Sequence, residues 1–467
     1  MARKIEISPV TRINGLWQLQ VMVDGGKVID ARSSGLFFRG IEKILEGRDP
    51  RDGAYITQRI CGICSTAHSI AAVHAVEDML GLEVPPGAVR LRNLLLGADL
   101  LQNHIRHFYI MLLPDFAPGP VRPPFVPHYQ GDYRIPEQHR QRMWQHYLEQ
   151  VDISRMTHEM VTIFGGKIPH QHGIVVGGAS VWPTADRVRM FGSMLEQVRR
   201  FVEDKMIPDA ELLARYYEDY YQIGVGYGRS IVFPTFPKPG QKGKWELPGA
   251  LIEDSTKGKP DILKIKEYLK YSWFDQPGPS YPQQGESDPN LNKEEAYSWV
   301  KAPRYDGKAY DTGPVSRMWA MGKYQKGFST MDRIQARVLE TKVIADMIGQ
   351  WYKELNPDEQ IFKPYELPRE GEGFGQTEAM RGALGHWIQV KGGRISHYQV
   401  VTPSAWNCSP RDDMGQRGPI EEALIGTPIA DEDNPVEIGR VARSYDPCLA
   451  CAVQLIRIAH WGANNDD

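Results

Sequence analysis

Two Cys-x-x-Cys pairs constrain this chain more than any other feature. They stand in "RICGICSTAH" (59–68) and "YDPCLACAVQ" (445–454), and use four of only five cysteines in 467 residues. Cys408 is the fifth. So few cysteines make no disulfide framework, and without a secretory leader paired cysteines point to metal or redox chemistry. Two unrelated buried pairs are the plainer alternative. Gly62 lets the first pair turn tightly enough for both sulfurs to face one point. A thiolate-rich pocket suits zinc, iron–sulfur clusters, copper(I) or nickel. A zinc ribbon would set its pairs roughly 15–20 residues apart, whereas Cys448 follows Cys64 by 384 positions. A long-range Cys₄ zinc site stays open on spacing alone. Thioredoxin-type exchange expects a strand-to-helix βαβ setting, which neither pair has.

The rest of the chain narrows the class. A net charge of −3 leaves no electrostatic footprint for nucleic acid. No apolar run is long enough to span a bilayer, and "MARKIEISPVTRING" lacks the apolar stretch of a secretory signal. A cytoplasmic home is expected, with membrane association through partners and export only on a partner's signal. Alternation over 4–31 around "DGG" reads as an N-terminal β hairpin. Apolar residues at helical spacing predict helices over 65–80, ending at Gly81, and over 88–113, stopped near Pro114. Further helices are predicted over 137–164, 186–222 and 329–355. The expected fold is mainly α with peripheral β (α+β), a large helical bundle in one domain over 1–467. Residues 234–310, rich in Pro, Gly, Lys and Asp, read as a peripheral insertion with a short strand or two.

Both cysteine motifs together resemble those of the large, catalytic subunit of nickel–iron hydrogenases. "SPVTRINGLWQLQV", "LFFRGIEKILEGRDP", "FGGKIPHQHGIVVGGAS", "SWVKAPRYDGKAYDTGPVSRMW", "GQTEAMRGALGHW" and "YQVVTPSAWNCSPRD" agree with that family in order and approximate position. The likeness covers essentially the whole chain. It implies nickel held by Cys61, Cys64, Cys448 and Cys451. Cys61 and Cys448 would be terminal thiolates, and Cys64 and Cys451 would bridge to an iron carrying carbonyl and cyanide ligands. The implied reaction is reversible heterolytic cleavage of dihydrogen, with metals as Lewis acids and a thiolate or nearby base taking the proton.

The resemblance also assigns surrounding residues. Arg381 in "EAMRG" would lie over the metals, paired with Asp446, although Met380 stands where the family usually has proline. His68, one helical turn after Cys64, would hydrogen-bond a bridging sulfur. Glu42, the Val400 carbonyl and Gln454 would hold a magnesium-type cation, Gln454 replacing a usual histidine. Asn14, Asn103, Thr402 and Pro403 would line the centre and its proton path. Three departures stand out. Asn14 replaces the glutamate that relays protons, and an amide cannot titrate. Asn103 replaces an aspartate, and Gln454 replaces the histidine at which most family precursors are cut; thirteen residues follow it.

These departures resemble the hydrogen-sensing branch of the uptake enzymes. Three functions are therefore weighed: a hydrogenase subunit feeding electrons to a partner, a slow hydrogen sensor acting through a signalling protein, and a quinone-module respiratory subunit of the same fold. The last has lost the nickel cysteines that are intact here. No cysteine remains for an iron–sulfur cluster, so electrons would leave through a cluster-bearing small subunit across a large obligate interface. A further electron acceptor, a higher oligomer and maturation proteins are the other expected partners.

Overall fold

The computed structural model describes residues 2–452, apart from 124, 127–130, 255 and 276–277. The chain opens as an antiparallel sheet in the order β1 (Arg3–Ile7), β2 (Trp17–Asp24), β3 (Lys27–Gly35). The expected hairpin is β2–β3. Asp24 opposes Lys27 across Gly25 and Gly26, whose φ values of 56° and 71° are those a two-residue type I′ turn demands. Trp17, Leu19, Val21 and Val23 alternate into the core. β1 is a third strand beyond that hairpin.

Helix makes up about 43% of the molecule and strand 20%, a mixed α+β fold. α1 (Ser65–Leu80) stops at Gly81, which takes the left-handed conformation at φ 59°. α2 (Pro86–Arg106) continues through a wide π-helical turn over His107–Leu112 to Pro114. α3 (Glu137–Gly165) and α4 (Thr330–Trp351) lie where spacing predicts them, α4 opening on a Ser329–Asp332 capping box. The helix expected over 186–222 is interrupted. Ala185–Phe201 and Ile207–Tyr216 are joined by a π-helical turn, because Pro208 has no amide to return to the turn before it. Among the described residues no helix is long and apolar enough to cross a membrane.

Residues 234–310 hold six short strands, more than the one or two expected: Thr235–Pro237, Trp245–Leu247, Ala250–Glu253, Thr256–Gly258, Ile265–Tyr268 and Ala302–Tyr305. Fully buried Arg304 ties the last to the loop after Cys408, through Asp412 at 2.9 Å and the Pro410 and Gln416 carbonyls at 3.1 Å. A second antiparallel sheet, β4 (Gly371–Ala379), β5 (Gly382–Lys391) and β6 (Arg394–Val401), packs under α1. Gly375 permits that approach; a Cβ there would collide with the Ala71 carbonyl oxygen.

A buried ionic network braces this sheet against the helices. Arg317, in the short helix Pro314–Ala320, bonds both oxygens of Glu340 at 2.6 Å and Glu378 at 2.8 Å. It also donates to the Ala379 and Met380 carbonyls, both at 2.9 Å. His104 on α2 meets Glu340 at 2.8 Å. Burial alone would raise the Glu340 pKa, but Arg317 and His104 outweigh it and bring it down from 4.5 to about 2.

Two outcomes follow from this packing. Gly375→Ala should lower stability by about 1–3 kcal/mol, read as a reduced unfolding midpoint in urea, because α1 must move off β4. Glu340 has a depressed folded pKa, so its contribution is present above 4.5 and lost as pH falls toward about 2. Glu340→Gln should therefore unfold more easily at neutral pH, by about 3–5 kcal/mol for a broken buried pair. Its stability should also vary less across that acid window than the wild type's.

Candidate metal centre

The two cysteine pairs meet because the ends of the chain are stitched together. Asn14 and Cys448 form a parallel bridge, the Leu449 amide donating to the Asn14 carbonyl at 2.7 Å. Gly15, at φ 93°, allows the approach; a Cβ there would run into the Ala450 backbone nitrogen. The Cys448 amide donates to Ser404 Oγ at 2.9 Å. The first pair is shaped locally. Cys61 is extended, the Ile63 amide donates to its sulfur at 3.2 Å, and Cys64 is the N-cap of α1. The sulfurs of Cys61, Cys64, Cys448 and Cys451 consequently lie within 4.8 Å of one another, all buried. Nearest approaches are Cys448–Cys451 at 2.8 Å, Cys64–Cys451 at 3.2 Å and Cys61–Cys448 at 3.4 Å.

The surroundings stabilise negative sulfur at Cys61 and oppose it at Cys64 and Cys451. Burial opposes ionisation of Cys61, yet bonds with the three other thiols and the Arg381 charge pull its pKa well down. Cys64 is pushed up chiefly by its bond with Cys448, and Cys451 by burial. Asn14 Nδ2 donates toward the Cys61 and Cys448 sulfurs, at 3.1 and 3.4 Å. Cys408 is buried outside the cluster.

Arg381 occupies the tip of the β4–β5 hairpin, whose last paired residues are Ala379 and Gly382. The two carbonyls before it, of Ala379 and Met380, are held by Arg317. Arg381 Nε donates to the Asp446 carbonyl at 2.6 Å and Nη2 to Asp446 Oδ1 at 2.7 Å. Asp446 adopts the left-handed conformation, φ 57°, and its Oδ2 takes Asn103 Nδ2 at 2.7 Å and Arg337 Nη1 at 3.3 Å. Burial would raise the Asp446 pKa, but Arg381, His107 and Arg337 hold it well below the carboxylate range. Arg381 Nη1 is buried without a partner among the described residues, and the Cys448, Cys61 and Cys64 charges reach the guanidinium. Four clustered soft donors beside a buried cation with a spare N–H fit a thiolate-bound nickel–iron centre.

His68 does not make the bond expected of it. Its Nδ1 turns to His386 Nε2 at 3.1 Å, and His386 Nδ1 reaches Tyr398 at 2.8 Å. Nε2 meets no sulfur and has no partner among the described residues. The ring is committed by β5, and burial brings its pKa down to about 4.

Glu42 is buried, taking the Val400 amide at 2.9 Å and the Ser287 hydroxyl at 2.7 Å. It lines a cavity of about 20 Å³ with Glu267, Lys301, Thr402 and Cys451, room for one small group. Lys301 stands 3.6 Å from Glu267 and already supplies one positive charge. Thr402 caps the helix Pro403–Asn407, so Thr402 and Pro403 position Ser404 against Cys448. Gln454 lies outside the described residues.

Sequence reasoning missed Arg317, Arg337, Ser404, and the Glu267–Lys301 pair beside Glu42. Their contacts span tens to hundreds of positions, so no local spacing marks them. One signal was available: Asp99, Asn103 and His107 recur every fourth residue in an apolar helix.

Comparison with known proteins agrees with this geometry. The family model for nickel-dependent hydrogenase matches residues 39–118 and 119–454. The periplasmic [NiFeSe] hydrogenase large subunit of Desulfomicrobium baculatum is 40% identical over 97% of this chain and 95% of its own. The hydrogenase-2 large chain of Escherichia coli is 30% identical, over 98% of each. The reduced Ni-Fe-Se hydrogenase structure from D. vulgaris Hildenborough superposes with a TM-score of 0.95 at 41% identity, covering 97% of this chain and all of that one. The chain therefore belongs to the nickel-dependent hydrogenase large-subunit family, oxidoreductases acting on dihydrogen.

Proposed function

We propose that this chain splits dihydrogen heterolytically at a nickel–iron centre held by Cys61, Cys64, Cys448 and Cys451, and yields electrons to an iron–sulfur small subunit. The convergence of four buried thiols beside Arg381 carries the reading. All four cysteines would hold the nickel, Cys64 and Cys451 contributing to the iron as well, and maturation proteins would supply that iron's carbonyl and cyanide ligands. When bound, such a centre supplies Lewis-acid polarisation of dihydrogen. The protein does the rest. A terminal thiolate, kept ionised yet basic, takes the proton. Arg381, fixed by Asp446 on one side and through Arg317 on the other, orients dihydrogen with its remaining N–H. His68, bonded to His386 and brought down to about 4 by burial, stays neutral and takes no proton at neutral pH.

Glu42, the Val400 carbonyl and Gln454 are proposed to hold a divalent cation of the magnesium type. Glu42, Glu267 and Thr402 bring oxygens, the donors a hard ion prefers, to that small cavity, which Lys301 shares. The partner follows from cysteine arithmetic: with four thiols at one site, Cys408 cannot bind a cluster alone. Relatives named "large subunit" fit a smaller companion. Compartment follows that companion, and the periplasmic relative fits the export route better than a cytoplasmic home.

One contact favours a second reading, the slow hydrogen sensor acting through a signalling partner. The Asn14 amide bonds two of the thiols, stabilising their charge, but cannot pass a proton onward.

Replacing Cys448 by serine should abolish hydrogen oxidation and strip nickel, since a hydroxyl is a harder ligand. Cys408→Ser should keep most of both. Equal damage from the two, measured as nickel content and dye reduction under hydrogen, would refute this division of the cysteines. Arg381→Lys should retain nickel while hydrogen oxidation falls roughly 100-fold, the scale of losing one preorganised donor. Full activity in a nickel-loaded lysine variant would remove the guanidinium from the mechanism.

A further inference from the structure

His68, His386 and Tyr398 form a hydrogen-bonded chain whose purpose the metal centre alone does not explain. In the β5–β6 pairing His386 opposes Val400 and Ile388 opposes Tyr398, so His386 and Tyr398 are diagonal neighbours on one face. His386 Nδ1 lies 2.8 Å from the Tyr398 hydroxyl, and His386 Nε2 lies 3.1 Å from His68 Nδ1. Both imidazoles are fully buried and Tyr398 is 2% exposed. His68 stands in the first turn of α1, where its amide donates to the Cys64 carbonyl at 3.2 Å. Helical side chains lean back over the turn before them, which here is the turn of Cys64.

Two placements of the hydrogens fit this chain, and counting unpaired groups separates them. In the first, Tyr398 donates to His386 Nδ1, His386 Nε2–H donates to His68 Nδ1, and His68 carries its hydrogen at Nε2. One group is then unpaired among the described residues, the His68 Nε2–H. In the second, both bonds run backwards. The Tyr398 oxygen accepts from His386, its own O–H finds no other acceptor among the described residues, and His68 Nε2 is a bare lone pair. Two buried groups are then unpaired, and a buried hydroxyl without an acceptor is strongly unfavourable. The charge states agree with the first placement. Burial, and after it the Glu42 charge, keeps the phenol protonated. Burial, and after it His68, keeps the His386 imidazole neutral, with one hydrogen to place.

We propose that Tyr398, acting through His386, fixes His68 as the tautomer with its hydrogen at Nε2, and so keeps one buried N–H donor for the filled metal centre. Tyr398 and His386 are positioning residues, because the bond made by one nitrogen of a histidine decides which nitrogen carries the hydrogen. The use of that donor rests on the nickel–iron reading above. The tautomer stands on the two bonds alone.

Neutron diffraction from deuterium-exchanged crystals of the assembled, nickel-loaded protein reads these hydrogens directly. Deuterium is expected at Tyr398 Oη, His386 Nε2 and His68 Nε2, with both Nδ1 atoms bare. Deuterium on Nδ1 of either ring overturns the proposal. In Tyr398→Phe both placements leave two groups unpaired, so deuterium at His68 Nε2 should fall toward half occupancy. Infrared spectra at equal nickel content then compare Tyr398→Phe, His386→Leu and His386→Gln with the wild type. The carbonyl and cyanide bands should shift in Tyr398→Phe and shift further, in the same direction, in His386→Leu. His386→Gln should return them toward the wild type, since its carboxamide accepts from Tyr398 and donates to His68. Damaged packing alone would not be reversed by that conservative change. Bands that stay put in both Tyr398→Phe and His386→Leu overturn the proposal, as does a shift that His386→Gln leaves in place. A wild type that holds nickel but shows no such bands would instead sink the nickel–iron reading, while the neutron map would still decide the tautomer.

Discussion

Everything at this site depends on one backbone junction. The 12–15 loop, near the start of the chain, pairs with Pro447–Ala450 near the end of the described residues, and Gly15 is the residue that lets them touch. Without that junction, each Cys-x-x-Cys pair is an ordinary turn with half a ligand set. With it, four thiols share one buried pocket continuous with the main hydrophobic core. Metal affinity is thereby coupled to folding of the whole chain, because the donors come together only when its ends do.

A buried thiolate cluster is electrostatically costly, and the protein answers with arginine. Arg381 feels the sulfur charges, while Asp446, itself held by Arg337 and Asn103, holds it from behind. Arg317 then fixes the hairpin tip through two backbone carbonyls and is itself fixed by Glu340 and Glu378. Such alternation of charge keeps Asp446 and Glu340 ionised where burial alone would neutralise them, while burial still carries Glu378 up to about 7. The same logic fixes the Arg381 guanidinium from both its backbone and its side chain. Asn14 fits the pattern as an N–H donor to the Cys61 and Cys448 sulfurs.

Much of this was legible in the residues alone. The cysteine pairs marked the site because soft-ligand spacing is a strong local signal, and Gly81, Pro114 and Gly25–Gly26 marked element ends for backbone reasons. Arg381 and Asp446 were identified through resemblance. What spacing could not carry was anything set by packing across the chain. Nothing local says that Pro208 widens one helical turn rather than ending the helix, or that Arg304 anchors residues 234–310 into the interior. His68 is the instructive miss: helical geometry brings it near Cys64, but rotamer choice went to His386, a neighbour 318 residues away in sequence. Asp99 shows the converse, a polar residue whose period was visible but whose Oδ2, unpartnered among the described residues, needed coordinates.

The most direct test of the account is the coordination of nickel in the purified, assembled protein, read by X-ray absorption at the nickel edge with infrared spectra of the same sample. Four sulfur neighbours, one from each of Cys61, Cys64, Cys448 and Cys451, with an iron scatterer close by and carbonyl and cyanide bands, are the predicted result. Nickel bound by nitrogen and oxygen, or a pocket filled by zinc alone without those bands, would contradict it.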